Sequence, residues 1–419
     1  MKFIIALAFK NMWRYRRRTL ITAFAIAIGV GMYIFMDAWL LGAEYESVRN
    51  LVRLETGSAR IFHNLFWENY TYFLPRYNIS RYEDLIAALK QAGYRAVPRL
   101  SVLAEIINTA GEGDSATIQL SGIDPDQDRE VFALEEAITP QGAGFLQKGQ
   151  PDIVLGKDLA TRLGLKLGST VELRTKTADG IWTGFQARLR ALLDSPNPII
   201  NSIAGFVALD TLQECLSLEG RVTDIAIGFA ENLDPEQETK KINTLLETLT
   251  GTVDYRAYSF NEIAFEFGMI AQTKSAGSKI LLFLIFIIAA IGVSNTMLME
   301  VFERVREIGM MRALGMKDSG ILLSFFYEAL GIGLLGALGG AVLGVVSNIY
   351  MVNIGIDLSP FIKGMGNIGY RSTGLLKSVW NPQTIVSAAV LSVLFAGLIA
   401  LLPARRAIKK TITECLRVK

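Results

Sequence analysis

Histidine and cysteine are almost absent from this chain. A single histidine, His63, leaves a zinc site or a histidine-based triad only one residue to turn on. Two cysteines, Cys215 and Cys415, give neither a metal-ligand spacing nor a disulfide framework. A phosphate-cradling loop is missing too. The nearest approach to G-x-x-x-x-G-K-[ST], Gly156-Lys157-Asp158, lacks the upstream glycine and the hydroxyl residue after lysine. No catalytic residue, cofactor or metal is therefore expected on this chain, which is read as a non-enzyme whose energy comes from a separate ATPase. No nucleic-acid partner is expected.

What the chain has is length in its apolar runs, and they are unevenly spaced. Residues 19–41 form the first, and more than two hundred mostly polar residues follow. Residues 279–299, 321–350 and 383–403 come in quick succession. Each is long enough for a helix to cross about 30 Å of hydrocarbon, which takes roughly 20 residues. The fold expected is a four-helix integral membrane protein with a large α+β domain, residues 42–278, between the first and second helices.

The near-zero net charge of +2 conceals a strong asymmetry. Lys2, Lys10, Arg14, Arg16, Arg17 and Arg18 precede the first run. Arg304, Arg306, Arg312 and Lys317 lie between the second and third, and Arg405, Arg406, Lys409, Lys410, Arg417 and Lys419 follow the fourth. The loop 351–382 holds only Lys363, Arg371 and Lys377. Basic residues beside the spans mark the cytoplasmic side, so both termini (1–18 and 404–419) and the loop 300–320 are expected there. Residues 42–278 and 351–382 are then extracytoplasmic, and the two cysteines fall on opposite sides of the membrane. The first run is too long for a signal h-region and no small-x-small site follows Leu41, so an uncleaved anchor is expected. Ile5, Phe9, Met12 and Trp13 share one face of an interfacial helix before it, with Lys10, Arg14, Arg17 and Arg18 alongside.

In the large insertion, residues 81–92 have helical periodicity, with Ser80 at the N-cap position and Glu83 at capping-box spacing. Residues 102–107 and 116–120 read as strands joined across 111–114. Residues 170–175 and 185–193 read as a hairpin turning at Asp179-Gly180, and 236–249 as an amphipathic helix. The middle, about 121–221, is expected to form one lobe and the flanks another. Residues 44–54 and 261–278 lack proline and are expected to be helical stalks.

Between the second and third runs lies the densest charge cluster. Glu300/Arg304 and Glu303/Arg306 have helical spacing, as in a self-paired surface helix. Met310, Met311 and Leu314 add an apolar face that calls for a partner. In the third run Gly336, Gly340 and Gly344 recur every four residues, a spacing that lets helix backbones approach within one subunit or between two. Glu328 and Asp37 lie inside apolar runs, as functional groups or as satisfied ones. The aromatic stretch 62–77 reads as lobe core or as a site for an apolar ligand.

The segment Val301-Phe302-Glu303-Arg304-Val305-Arg306-Glu307-Ile308-Gly309, then Arg312-Ala313-Leu314-Gly315, resembles the FtsX-type permease domain of bacterial ABC systems. Leu402-Pro403-Ala404-Arg405-Arg406-Ala407 is similar to that family's closing signature, and Ala8-Phe9-Lys10-Asn11 to its opening. Within the insertion, Thr56-Gly57-Ser58-Ala59-Arg60-Ile61, Gly122-Ile123-Asp124-Pro125 and Val154-Leu155-Gly156-Lys157-Asp158-Leu159-Ala160 look like the lipoprotein-release subunits LolC and LolE.

The resemblance implies a coupling helix seated in a cytoplasmic ATPase, with Glu303, Arg304, Arg306, Glu307, Met311, Arg312, Leu314 and Gly315 as its contacts. It implies a porter lobe with an inserted sabre lobe, and two permease chains, identical or homologous, over two ATPase chains that hold ATP and Mg. The setting implied is the bacterial inner membrane, with membrane lipid around the spans and lipoproteins as cargo. Phe35, Trp39 and Leu40 on the first run and Leu281, Leu282 and Ile285 on the second are the expected cargo contacts. The tight turn at Asp179-Gly180 leaves open whether this chain engages a periplasmic carrier. Two other functions stand beside lipoprotein extraction: MacB-like export of peptides or small molecules, and FtsX-like signalling to a cell-wall hydrolase.

Overall fold

The structure, a computed structural model, describes residues 2–109, 114–141, 143–230, 233–251, 254–357, 375–409 and 411–417. The chain divides into two units. One comprises residues 1–44, 271–357 and 375–419, the other residues 45–270 and 358–374. The expected turn at 111–113 and the loop cations Lys363 and Arg371 lie outside the described residues, as do Lys410 and Lys419.

The first unit is helical. Lys2–Arg14 forms a short helix, and the chain then breaks at Tyr15 before a 36-residue helix, Arg16–Leu51. The Thr19 hydroxyl donates to the Met12 carbonyl at 3.1 Å, tying the two together across the break. Among the described residues, three helices are long and apolar enough to cross a membrane: Arg16–Thr56, Asp318–Asn353 and Pro382–Arg406. The apolar run expected at 279–299 lies within a fourth long helix, Phe265–Glu303. The last long helix, Pro382–Ile408, passes through Pro403, where the fourth run was expected to end. Proline inside a helix forfeits one backbone donor and crowds the carbonyl four residues before it, yet the helix runs on to Ile408.

The second unit is built on one ten-stranded sheet. Its strands are β1 (Ala59–His63), β3 (Arg95–Asn108), β4 (Ser115–Ile123), β5 (Ile138–Thr139), β6 (Asp152–Gly156), β7 (Thr170–Lys176), β8 (Trp182–Leu193), β9 (Ala204–Ala208), β11 (Asp224–Gly228) and β12 (Tyr255–Ser259). The short β2 (Ile79–Ser80) and β10 (Arg221–Val222) pair with each other. The order is β12-β1-β11-β3-β4-β9-β6-β8-β5, with β7 bridging β3 and β8. The long β3 explains why this is one sheet and not two. Its first half pairs with β11 and its second half with β7, so strands from the flanks and from the middle are hydrogen-bonded through it. The two lobes expected from the sequence share this ladder.

Local chemistry explains several element ends. Asp234 caps the helix Pro235–Thr250 by accepting from the Glu236 N–H, and Gly251 closes it in the left-handed region. Ser259 and Glu262 form a reciprocal capping box. Ser80 does not cap Tyr82–Gln91 as expected. It is held in β2, and Arg81 makes the corner with φ +53° and no side-chain cap. The hairpin β7–β8 turns where expected, with Gly180 at φ +81°. The aromatic stretch is core: Phe62 stacks on Phe66 at 5.5 Å, Trp67 stacks on Tyr258 at 4.1 Å, and Tyr70 meets Phe62 edge-on. His63 caps the next helix, its Nδ1 accepting from the Leu65 N–H at 3.1 Å.

Candidate functional site

The turn between the second and third of the four long helices breaks its backbone twice. Glu303 ends one helix, Arg304 stands alone at φ −102°, ψ 12°, and Val305–Ala313 forms a short helix. It closes at Gly315, whose φ of +86° suits glycine, with the Gly315 N–H donating to the Arg312 carbonyl and the Met316 N–H to Met311. Val305, Ile308 and Gly309 are buried. Ile308 packs with Val301, Ile321, Phe325 and Ala404, and Met311 lies against the same cluster.

Arg304 is the pivot of this turn, and it corrects the expectation that its side chain faces a partner. It is 5% exposed. Its Nη1 donates to both carboxylate oxygens of Glu328, at 3.2 and 2.9 Å, and its Nε donates to Glu307 at 3.0 Å. The guanidinium lies 5.2 Å from the Phe325 ring and 5.8 Å from Tyr15. Glu328, only 2% exposed, is thus satisfied by an internal cation. A charge inside an apolar run requires such a partner. The break at Arg304 is what sequence spacing did not reveal, and it carries the side chain back onto the third long helix.

The remaining charges also pair across elements and not along one helix. Glu303 accepts from Arg18 at 2.6 Å instead of pairing with Arg306. Glu307 also meets Arg14 at 3.6 Å. Arg312 pairs with Asp318 at 3.1 Å and donates to the Ile408 carbonyl at 3.1 Å. Outward remain Phe302, Arg306, Met310 and Leu314, which recur every four residues; Leu314 is 88% exposed. Of the two methionines, Met310 is exposed and Met311 is partly buried against the Ile308 cluster. Exposed Phe302 is a functional candidate that the sequence reading did not single out, and Arg14 and Arg18, expected only at the membrane interface, pair with this turn.

The glycine stripe of the third long helix lies against the first within the same chain. A Cβ at Gly336 would stand 2.6 Å from Ile26 Cβ, at Gly340 2.6 Å from Val30 Cβ, and at Gly344 2.8 Å from Ile34 Cβ. Backbone carbonyls of Ala23 and Ala27 stand within 3 Å of the first two positions, so these helices pack main chain to main chain. Phe35, Trp39 and Leu40 are half-buried on the first long helix. The side chains of Leu281, Leu282 and Ile285 lie outside the described residues. Asp37 accepts from the Asn381 side chain at 3.0 Å, ahead of the last long helix.

A second buried charge network sits where the first long helix ends in the outer unit. After Leu51 the chain makes one π-helical turn, Val52–Thr56, and the Arg60 guanidinium on β1 takes its carbonyls. Arg60 Nε donates to Thr56 at 2.9 Å, Nη2 donates to the Glu55 carbonyl, and Nη1 donates to Asp224 on β11 at 3.1 Å. Beside it Arg99 makes a two-oxygen pair with Asp128 and lies 3.4 Å over the Phe132 ring. Burial pushes the carboxyls of Asp224 and Asp128 up from their ordinary range, against the pull of Arg60 and Arg99 respectively. Burial also pushes the Tyr70 phenol up to about 12. Through Arg60 the network ties the π-helical turn to β1 and β11 as a structural joint.

Two family models cover most of the chain. One, described as MacB-like periplasmic core domain, matches residues 19–245, and the other, FtsX-like permease C-terminal, matches residues 279–412. The chain is 26% identical over 416 residues to the macrolide export ATP-binding/permease protein MacB of Escherichia coli, covering 96% of this chain and 58% of that protein. It is 22% identical over 333 residues to the macrolide export ATP-binding/permease protein MacB of Campylobacter jejuni, 77% of this chain and 50% of that one. It thus spans little more than half the length of these relatives. The crystal structure of the periplasmic region of MacB from Actinobacillus actinomycetemcomitans overlays on 53% of this chain and 97% of its own, with 16% identity and a TM-score of 0.36.

Proposed function

Because this chain belongs to the FtsX/MacB-type family of ABC transporter permeases, we propose that it is the membrane subunit of an ATP-driven machine that extracts lipoproteins from the outer leaflet of the bacterial inner membrane. Four helices cross the bilayer, with both termini and the turn around Arg304 on the cytoplasmic side. Two permease chains stand over two ATPase chains, and ATP and Mg are bound by the ATPases. The turn docks in the ATPase, and closure of the ATPases is carried through the long helices to the outer domain.

One observation supports this reading above the others. The turn 303–315 is fixed from within by Arg304 and Glu328, yet presents Phe302, Arg306, Met310 and Leu314 outward. A rigid element with a mixed apolar and cationic face suits insertion into a groove of another protein. Outward transport of a small molecule or peptide is the second reading, favoured by the macrolide export named for the relatives.

The experiment is copurification with the cognate ATPase, followed by ATPase turnover in lipid. Leu314→Asp with Met310→Asp should cut association by about tenfold or more, as buried charge costs at least 1.4 kcal/mol in such a contact. Glu307→Gln, whose side chain faces Arg304 and Arg14, serves as an inward-facing control. Undiminished association and coupled turnover in the double aspartate variant would remove the docking role.

A further inference from the structure

A groove of about 280 Å³ opens beside the end of the first long helix, lined entirely by residues 45–260. Its apolar wall is Val48, Val52, Phe229, Leu233 and Phe260, and three arginines, Arg49, Arg53 and Arg95, stand on it. Among the described residues, no carboxylate lines it. Arg53 is engaged by Glu136 at 2.8 Å, and Arg95 gives one N–H to the Phe229 carbonyl at 2.9 Å. Arg49 is exposed, and a guanidinium has five donors, so Arg49 and Arg95 retain hydrogen-bonding capacity toward the groove.

The position along the helix says what such a groove meets. Leu41, the exposed last residue of the first apolar run, is followed on the same helical face by Tyr45 and Val48, and Val52 continues the line. Four residues of helix rise about 6 Å and eight about 12 Å. The headgroup layer on one side of a bilayer is roughly 5–8 Å deep. If the run spans the membrane as proposed above, Tyr45 stands among headgroups and Arg49 just beyond them, with a side chain long enough to reach back.

We propose that this groove binds an anionic phospholipid of the outer leaflet, its phosphate against Arg49 and Arg95 and the first part of an acyl chain along Tyr45 and Val48. Guanidinium forks match phosphate oxygens in two-point geometry. The volume suits a headgroup and the start of a chain rather than a whole lipid, since pockets for whole drug-sized ligands begin at about 300 Å³. The site lets the outer domain hold one lipid at the bilayer surface, an apolar path continuous with the membrane. The inference rests on the spanning role of the first helix, but not on the ATPase or the cargo.

The test uses the full chain in nanodiscs of phosphatidylcholine and phosphatidylglycerol, doped with a photoreactive phosphatidylglycerol, and maps crosslinks by mass spectrometry. Labelling should centre on residues 45–53 and fall about tenfold in Arg49→Glu/Arg95→Glu, with Arg49→Glu alone giving part of that loss. Arg49→Lys should retain most of it. Added phosphatidylglycerol should compete, whereas added phosphatidylcholine and millimolar inorganic phosphate should not. Unchanged labelling in both charge-reversal variants, or competition by phosphatidylcholine, would overturn the site. Competition by inorganic phosphate would make it a free-anion site and overturn the lipid. Neither nucleotide nor ATPase is needed, so this result and the docking result above stand or fall separately.

Discussion

Replacing Glu328 or Arg304 by alanine should destabilise the membrane unit by about 3–5 kcal/mol, because each removal strands the other charge in a site with almost no water. The loss should be read from denaturant unfolding of the protein in detergent. Glu307 can offset part of the stranded Arg304 charge in Glu328→Ala, since it already pairs with Arg304 from the open side. Replacing both partners by apolar residues, Arg304→Met with Glu328→Leu, should recover most of the stability. Stability and coupling then separate. If the pair only holds the fold, the apolar double variant couples normally. If it fixes the turn in its docking orientation, that variant folds but hydrolyses ATP without transport.

Arg60→Ala should cost a similar amount, about 3–5 kcal/mol, in the outer domain. The guanidinium serves two carbonyls of the π-helical turn as well as Asp224, so its removal leaves three acceptors to be re-satisfied. Arg60→Lys should recover little, because an ammonium cannot reach the turn and the carboxylate in the same fork. Hydrogen exchange is the discriminating readout. Amides of residues 52–61 and of β11 should lose protection together, while those of β6 and β8, on the far side of the sheet, keep theirs. Uniform loss across the sheet would show a global core residue and not a joint between helix and sheet.

Elements whose determinants are local were legible from the sequence. The apolar runs became long helices, the hairpin turns at Asp179-Gly180, and the amphipathic pattern of 236–249 lies within the helix Pro235–Thr250. Where a long-range partner decides, the reading diverged. Ser80 had the chemistry of an N-cap, but pairing of β2 with β10 holds it in a strand. Spacing of Glu303 and Arg306 assumed one continuous helix, and the break at Arg304 removed that premise. The aromatic stretch reads first as lobe core and second as a ligand site, and Tyr258, far along the chain, closes over Trp67 in the core. The glycine stripe announced a close helix contact, but only the fold identifies the first long helix of the same chain as its partner.

In the proposed machine, ATPase motion reaches the outer domain through this chain. The most direct measurement is the distance between spin labels at Asp179 on the two permease chains of the reconstituted complex, with and without a non-hydrolysed ATP analogue. A shift of several ångströms is expected on nucleotide binding, within the range of domain closures above about 2 Å, and no shift in Leu314→Asp/Met310→Asp. An unchanged distance in a complex that binds the analogue and hydrolyses ATP at its normal rate would contradict it.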